Sequence, residues 1–95
     1  METIPNQNDH YKTDDTSLAV YLYCIGFKII DIDYSNARAK IIFSEDSQEL
    51  REHERLYYTD KATITPATYA RIHKRLSNIL RRQIEWHEGI FNAQR

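Results

Sequence analysis

Polar and apolar residues alternate along residues 27–44, and this pattern predicts two antiparallel β-strands joined by a short turn. We place the turn at Ser35 and Asn36; this pair is a weaker turn signal than Asn-Gly, so the loop can be one or two residues longer. The register then sets acidic residues opposite basic ones: Asp31 faces Lys40 and Asp33 faces Arg38. The other face is apolar and is expected to be buried: Ile30, Ile32, Ala39 and Ile41.

A helix is predicted before this hairpin, because Leu18, Leu22 and Ile25 recur at helical spacing. Thr13 suits its N-cap, since the two aspartates that follow would lie in the first turn, where negative charge favours the helix dipole. Gly26 suits the position just beyond the helix end. Residues 10–13 are expected to be extended and to form an edge strand.

Two further helices are predicted after the hairpin. Ser44 or Asp46 is the expected N-cap of the first. Its inner face carries Leu50, His53 and Tyr57. Thr65 as N-cap and Pro66 as first helical residue begin the second, which is expected to run to about residue 87 or beyond. Its apolar stripe follows a three-four repeat: Tyr69, Ile72, Leu76, Ile79, Gln83, Trp86 and Ile90.

The order of elements is therefore β-α-β-β-α-α. It predicts an α+β fold with a small, mainly antiparallel sheet, a β-hairpin and a long C-terminal helix. The 95 residues are enough for one domain. We expect residues 1–9, which are polar, to form a disordered tail and residues 10–95 to form a single α+β domain.

Charge and composition limit the partners and the cellular compartment that the protein can have. Residues 1–60 carry six basic and twelve acidic residues, a net charge of −6, whereas residues 61–95 carry seven basic and two acidic residues, a net charge of +5. This asymmetry points to a charged partner. A single cysteine, Cys24, excludes an internal disulfide and is typical of a reducing compartment. No apolar run approaches the ~18 residues of a membrane span, and no signal-peptide pattern is present, so we expect a cytoplasmic protein without membrane contact.

The candidate catalytic and metal-binding residues match no motif. The four histidines, His10, His53, His73 and His87, lack the spacing of a zinc site. Asp31 and Asp33 share a strand face, as in some metal-dependent nucleases, but the cross-strand cations are expected to neutralise them. Cys24 has no histidine partner in sequence, and neither glycine belongs to a phosphate-binding loop. We therefore expect no enzyme, metal, cofactor or small-molecule substrate; an enzyme using these aspartates or Cys24 is a third hypothesis.

The best functional candidate is a basic stripe on the last helix: Arg71, Lys74, Arg75, Arg81 and Arg82. No acidic residue interrupts it, so it can follow a nucleic-acid backbone, dock on an acidic protein surface or remain a solvated helix face. Arg75 and Arg82 are placed on the outer face. The sequence pI near 6.4 argues against a protein dedicated to coating DNA.

The apolar stripe of the last helix is longer than a small sheet can cover. Its C-terminal part carries Trp86, Ile90 and Phe91, which are expected to protrude and to bind a protein partner or a second copy. Protein–protein assembly through this helix is therefore the first functional hypothesis, and nucleic-acid binding through the basic stripe is the alternative. The seven tyrosines are expected mainly at the edge of the core, with some on a partner-facing surface.

Three segments carry a resemblance to a known family. They are Y-K-T-x-D-x-x-L-A-x-Y-L from Tyr11, G-F-K-I-I from Gly26 and A-K-I-I-F from Ala39. Together they resemble a family of small uncharacterised proteins of bacteria, including cyanobacteria, and their phages. The resemblance covers roughly residues 11–84 and implies a shared fold and a phage or mobile-element context, with no catalytic residues to carry over. The chain departs from the family pattern by lacking a glycine after Tyr57 and Tyr58 and by its longer C-terminal helix.

Overall fold

The computed structural model describes residues 10–91. Within them three strands and three helices follow the predicted order: β1 (Tyr11–Thr13), α1 (Thr16–Cys24), β2 (Ile29–Asp33), β3 (Lys40–Phe43), α2 (Gln48–Tyr58) and α3 (Pro66–Arg82). This is the predicted α+β architecture, with α3 as its longest helix. The tail predicted for residues 1–9 lies outside the described residues, as do residues 92–95. No helix in the described range is long and apolar enough to cross a membrane.

The sheet is antiparallel, with strand order β1-β3-β2. Ile41 and Phe43 of the central strand have no exposed surface and lie in the core. Both neighbouring strands contribute to the same core, through Tyr11, Ile29 and Ile32. Because side chains alternate along a strand, the opposite face carries mainly polar residues. That face holds Lys12, Asp31, Asp33, Lys40 and Ile42.

The hairpin register differs from the prediction. Asp33 lies opposite Lys40 rather than Arg38, and Asp31 lies opposite Ile42 rather than Lys40. The connection spans residues 34–39 instead of two residues, because Oδ1 of Asp33 accepts a hydrogen bond from the amide of Ser35 (2.9 Å) and starts a longer turn. The predicted pairing of Arg38 is wrong for the same reason: its guanidinium Nε instead lies 3.2 Å from Oδ2 of Asp14.

An irregularity in β2 changes which isoleucines face the core. The register shifts between Ile29 and Asp31, so Ile30 is the extra residue of a β-bulge. Ile29 and Ile32 are both buried as a result, although an even alternation would put them on opposite faces. Burial of Ile32 and Ile41 is confirmed, whereas Ile30 and Ala39 are only half-buried.

Helix α1 lies at the centre of the molecule. Its five consecutive residues 18–22 are all buried, with exposed fractions between 0% and 4%. The helix contacts α3, α2 and β1, so it is covered on more than one side. The single apolar face predicted from Leu18, Leu22 and Ile25 was therefore too narrow. Gly26 follows the helix at φ +117°, as predicted for the residue beyond its end.

The N-caps of the first two helices lie further along the chain than predicted. Asp15, not Thr13, caps α1, because its Oδ1 accepts from the amide of Leu18 (3.1 Å). Ser47 caps α2 in place of Ser44 or Asp46, and its hydroxyl accepts from the amide of Leu50 (3.1 Å). The start of α3 is as predicted, with Thr65 at the N-cap and Pro66 as the first helical residue.

The C-terminal end of α3 corrects another prediction. The helix stops at Arg82 and does not continue to residue 87. Gln83 adopts a left-handed conformation (φ 55°), and the amide of Ile84 then donates to the carbonyl of Ile79 (3.0 Å). This hydrogen bond closes the last turn as a Schellman motif and redirects the chain. The residues after Gln83 therefore leave the helix axis.

Candidate interaction site

Helix α3 presents an uninterrupted positive surface. Four of its basic residues are exposed, and we call them the cationic face: Arg71, Lys74, Arg81 and Arg82. The helix contains no acidic residue, and within residues 10–91 no carboxylate forms an ion pair with these four. The opposite side of α3 is fixed in the core by Ile72, Leu76 and Ile79. The cationic face is thus held rigidly and available to an anionic partner.

Arg75 does not belong to the outer face, contrary to the prediction. Its side chain is half-buried, and its guanidinium donates to the carbonyl of Ile90 (3.0 Å). The same guanidinium lies 5.7 Å from the ring centre of Phe91, within range of a cation–π contact. Arg75 therefore joins α3 to the C-terminal segment. Sequence spacing placed Arg75 with the other basic residues, because spacing along one helix cannot show that Ile90 and Phe91 fold back onto Arg75.

The C-terminal segment, residues 84–91, packs against its own domain. The hydroxyl of Tyr34 donates to the carbonyl of Ile84 (2.7 Å), which attaches the start of the segment to the hairpin. Ile90 is only 8% exposed and belongs to the core. The ring of Phe91 meets that of Tyr23 edge-on, with centres 4.8 Å apart. Together these contacts hold the segment at both ends.

This packing bears on the residues predicted to bind a partner, Trp86, Ile90 and Phe91. The prediction that they protrude from a continuous helix is wrong. The rings of Trp86 and Phe91 contact each other (5.4 Å between centres), and both residues are half-buried on the domain itself. That these residues bind another chain remains a prediction, and they would have to do so while packed against their own domain.

Between α3 and the C-terminal segment lies a groove of about 340 Å³, which we call the α3 groove. Its lining combines three isoleucines with cationic and polar residues: Arg75, Asn78, Ile79, Arg82, Ile84, His87 and Ile90. Ile84 is 37% exposed and presents apolar surface at its mouth. Arg82 connects the groove to the cationic face. The chemistry suits a partner that offers both an apolar side chain and negative charge.

The acidic helix α2 neutralises much of its own charge. Arg51 forms ion pairs with Asp46 (2.8 Å) and Glu54 (3.5 Å), and Arg55 pairs with Glu52. The hydrogen bonds to Asp46 raise the pKa of Arg51 above its already high ordinary value. Glu54 also accepts from the hydroxyl of the buried Tyr11 (2.5 Å). α2 is thus a poor acidic counterpart for the cationic face of a second copy.

A second cavity, of about 520 Å³, lies where α1, the end of α2, the α2–α3 connection and α3 meet. We call it the tyrosine cleft, after its lining: Tyr21, Tyr57, Tyr58, Asp60, Ala62, Ile64 and Tyr69. Sequence reasoning missed this site. The high tyrosine content was the available signal, but the four tyrosines come from three helices and only the fold brings them together.

The residues considered for catalysis do not form one site. Asp31 and Asp33 share the polar face of the sheet, as predicted, whereas Cys24 lies at the end of α1. Burial raises the pKa of the Cys24 thiol, which disfavours the thiolate. Nε2 of His73 lies 3.4 Å from the hydroxyl of Ser17, longer than the ~2.6–3.2 Å of an activated nucleophile. In the part of the chain that the structure describes, no group of three or more His, Cys, Asp or Glu side chains is arranged to hold a metal ion.

Comparison with known proteins identifies a family. The family model described as "Domain of unknown function (DUF5659)" matches residues 8–82. That range contains every helix and strand within residues 10–91 and ends at the last residue of α3. The expectation of an uncharacterised family is confirmed. No curated protein and no solved structure matches the chain.

Proposed function

The chain belongs to DUF5659, a family defined by a domain of unknown function, and we propose that this member is a non-enzymatic interaction module that binds an acidic protein partner through α3. The observation that carries this proposal is the α3 groove, which lies beside the cationic face and shares Arg82 with it. The interface combines the two surfaces: the cationic face attracts and orients the partner, and the groove accepts an apolar side chain.

Charge supports an acidic protein over a second copy of this chain. In α2, the glutamates Glu52 and Glu54 already contact arginines of the same helix. A second copy would have to break such pairs before α2 could dock on the cationic face. A different protein with an unpaired acidic surface meets no such cost. A homo-oligomer therefore ranks below a heterologous complex.

The packed C-terminal segment also supports this proposal. Trp86 and Phe91 contribute indirectly, because they hold the segment that forms one wall of the groove. Ile90 contributes directly to the groove lining. A wall fixed by Arg75 and by core contacts is preorganised, and preorganisation lowers the entropic cost of binding.

Affinity capture from the native host tests the proposal. The baits are the wild-type chain, an Arg71→Glu/Arg82→Glu variant, and a Lys12→Glu/Lys61→Glu control that makes the same change in net charge at exposed positions outside α3 and its groove. We expect the α3 variant to lose a specific acidic protein by roughly tenfold or more, while the control retains it. Equal recovery by all three baits would contradict the proposal. Light scattering on the purified chain shows whether the captured partner is a second copy.

Nucleic-acid binding is the second candidate, favoured by the lack of acidic residues along α3. With Arg75 engaged by the C-terminal segment, four cations remain to contact phosphates, which gives a log–log salt slope of about −4 on duplex DNA. Net charge weighs against it, because residues 1–60 carry −6 and oppose a polyanion. Fluorescence anisotropy with single- and double-stranded oligonucleotides at low salt tests this candidate. If the wild type binds and the Arg71→Glu/Arg82→Glu variant does not, nucleic acid is favoured over protein as the partner.

The cellular setting of the proposal follows from the sequence. A single cysteine suits a reducing compartment, so we expect the module to act in the cytoplasm. The resemblance of its motifs to bacterial and phage proteins suggests an accessory role in a phage or mobile element. The genes neighbouring this one, and the proteins they encode, are the first place to search for the acidic partner.

A further inference from the structure

The tyrosine cleft is a second site, at the opposite end of α3 from the groove. Tyr69 in the cleft and Arg82 in the groove are thirteen residues apart on one helix, which corresponds to roughly 20 Å. With a volume of about 520 Å³, the cleft falls in the range of small-molecule sites. The two cavities share no lining residue, so the cleft is separate from the α3 groove.

Aromatic rings form the walls of the cleft. The rings of Tyr57 and Tyr58 stand nearly perpendicular (77°), with centres 5.3 Å apart. The ring of Tyr21 lies 5.6 Å from that of Tyr57 at a shallower angle of 30°. Adjacent rings at a right angle form a corner. Because the face of an aromatic ring is negative, such a corner attracts a positive charge.

The tyrosine hydroxyls are engaged by the protein itself. Tyr58 donates to Oδ2 of Asp15 (2.7 Å), and Tyr69 donates to the carbonyl of Ser17 (3.4 Å). The hydroxyl of Tyr21 lies 3.3 Å from Nδ1 of His53. These bonds hold the rings in place, and those of Tyr58 and Tyr69 use the donor hydrogen of each hydroxyl. A ligand would therefore meet mainly ring faces and the apolar side chains of Ala62 and Ile64, with the carboxylate of Asp60 as the charged group of the lining.

Negative charge lies at the cleft in two places. Asp60 is part of its lining, and Asp15 lies directly behind the hydroxyl of Tyr58. The combination of perpendicular aromatic walls, apolar side chains and carboxylates suits a cation that carries its charge on an apolar surface. We propose that the tyrosine cleft binds a quaternary ammonium group.

The apolar walls favour a quaternary over a primary ammonium. A primary ammonium has three N–H groups that need acceptors; the exposed carboxylate of Asp60 can accept from it, but the ring faces and methyl groups of the walls cannot, and burying N–H groups without acceptors is costly. A trimethylammonium group has no donor to satisfy, and its methyl groups can contact the rings and the methyls of Ala62 and Ile64. The group can belong to a free small molecule such as choline or to a trimethylated lysine in a peptide. Both present the same chemistry to the cleft.

Nuclear magnetic resonance titration of the full chain tests this inference. The probes are choline, a peptide with trimethyllysine, the same peptide with unmodified lysine, and 3,3-dimethylbutanol, the neutral carbon analogue of choline. We expect at least one quaternary probe to shift the resonances of Tyr57, Tyr58 and Tyr69 and to bind roughly tenfold more tightly than its uncharged or unmethylated counterpart. The stronger of the two quaternary probes identifies the source.

Two variants of one residue separate ring recognition from folding. Tyr58 is 58% exposed, so neither Tyr58→Phe nor Tyr58→Leu should unfold the domain. Tyr58→Phe keeps the ring and should keep binding within a few-fold, whereas Tyr58→Leu removes it and should weaken binding roughly tenfold. Equal binding of choline and its neutral analogue would overturn the inference, as would full binding by Tyr58→Leu or no shift with either quaternary probe.

Discussion

At the residue scale, two helices are followed by a non-glycine residue in the left-handed conformation that favours glycine. Asp60 (φ 65°) follows α2 and Gln83 (φ 55°) follows α3, both in the left-handed region. Gly26 fills the equivalent position after α1. Sequence reasoning found the end of α1 because glycine marks it, and missed the end of α3 because glutamine does not.

Replacing Gln83 by glycine should therefore stabilise the domain. The substitution relieves the left-handed strain at an exposed residue, and we expect a gain of about 0.5–1 kcal/mol in the free energy of unfolding. The matched control is Lys74→Gly, on the exposed side of the same helix, which should cost about 1 kcal/mol. Urea denaturation measures both. A loss of stability in Gln83→Gly would mean that α3 does not end at this residue in solution.

The hydroxyl of Tyr58 makes stability sensitive to alkaline pH. Its hydrogen bond to Asp15 raises the pKa of Tyr58 from 10.0 to about 12. Because the folded state holds the proton more tightly than the unfolded state, the bond contributes fully below pH 10. The contribution is then lost as the pH rises towards 12. Thermal melts of the wild type should therefore fall more steeply across this window than those of Tyr58→Phe.

Asp15→Asn isolates the cause of this shift, because asparagine caps a helix as well as aspartate does. The variant should keep α1 and bring the pKa of Tyr58 back towards its ordinary value. Tyrosinate absorbance during a pH titration, taken as the difference from Tyr58→Phe, measures this value. An unchanged pKa in Asp15→Asn would show that Asp15 is not the acceptor.

At the element scale, the sequence predicts the types and order of the helices and strands better than their junctions. The alternation from residue 29 to residue 43 identifies both strands of the hairpin. It cannot reveal the bulge at Ile30, which shifts the register within β2, or the six-residue connection, which begins with the hydrogen bond from the Ser35 amide to Asp33. The apolar repeat through Trp86 and Ile90 resembles a continuing helix, although these residues reach the core by another path.

The C-terminal segment should depend on Arg75. Arg75→Ala removes the hydrogen bond to the carbonyl of Ile90 and the contact with Phe91, so we expect a cost of about 1–3 kcal/mol. Amide exchange in residues 84–91 should accelerate, and the fluorescence of Trp86 should shift towards that of an exposed indole. Arg71→Ala, an exposed cation of the same helix, should cost under about 0.5 kcal/mol. Similar effects of both variants would contradict the role assigned to Arg75, which is to attach the C-terminal segment to α3.

At the scale of the whole molecule, charge and shape divide the surface into distinct regions. The sheet exposes a mixed polar face, α2 balances its own charges, and α3 combines a cationic face with an apolar groove. The sequence predicted the cationic residues and the charge asymmetry. The groove and the tyrosine cleft could not be predicted, because each is lined by residues that only the tertiary fold brings together.

Site-specific photocrosslinking in the native host tests the central claim, that α3 is the interface with an acidic protein, most directly. A photoreactive phenylalanine replaces Asn78, which is exposed and lines the α3 groove, or Gln48, which is exposed at the start of α2. We predict a discrete adduct from position 78 that resists nuclease, contains an acidic protein and is absent from position 48. An adduct from position 48 alone, or one at position 78 that nuclease removes, would contradict this account.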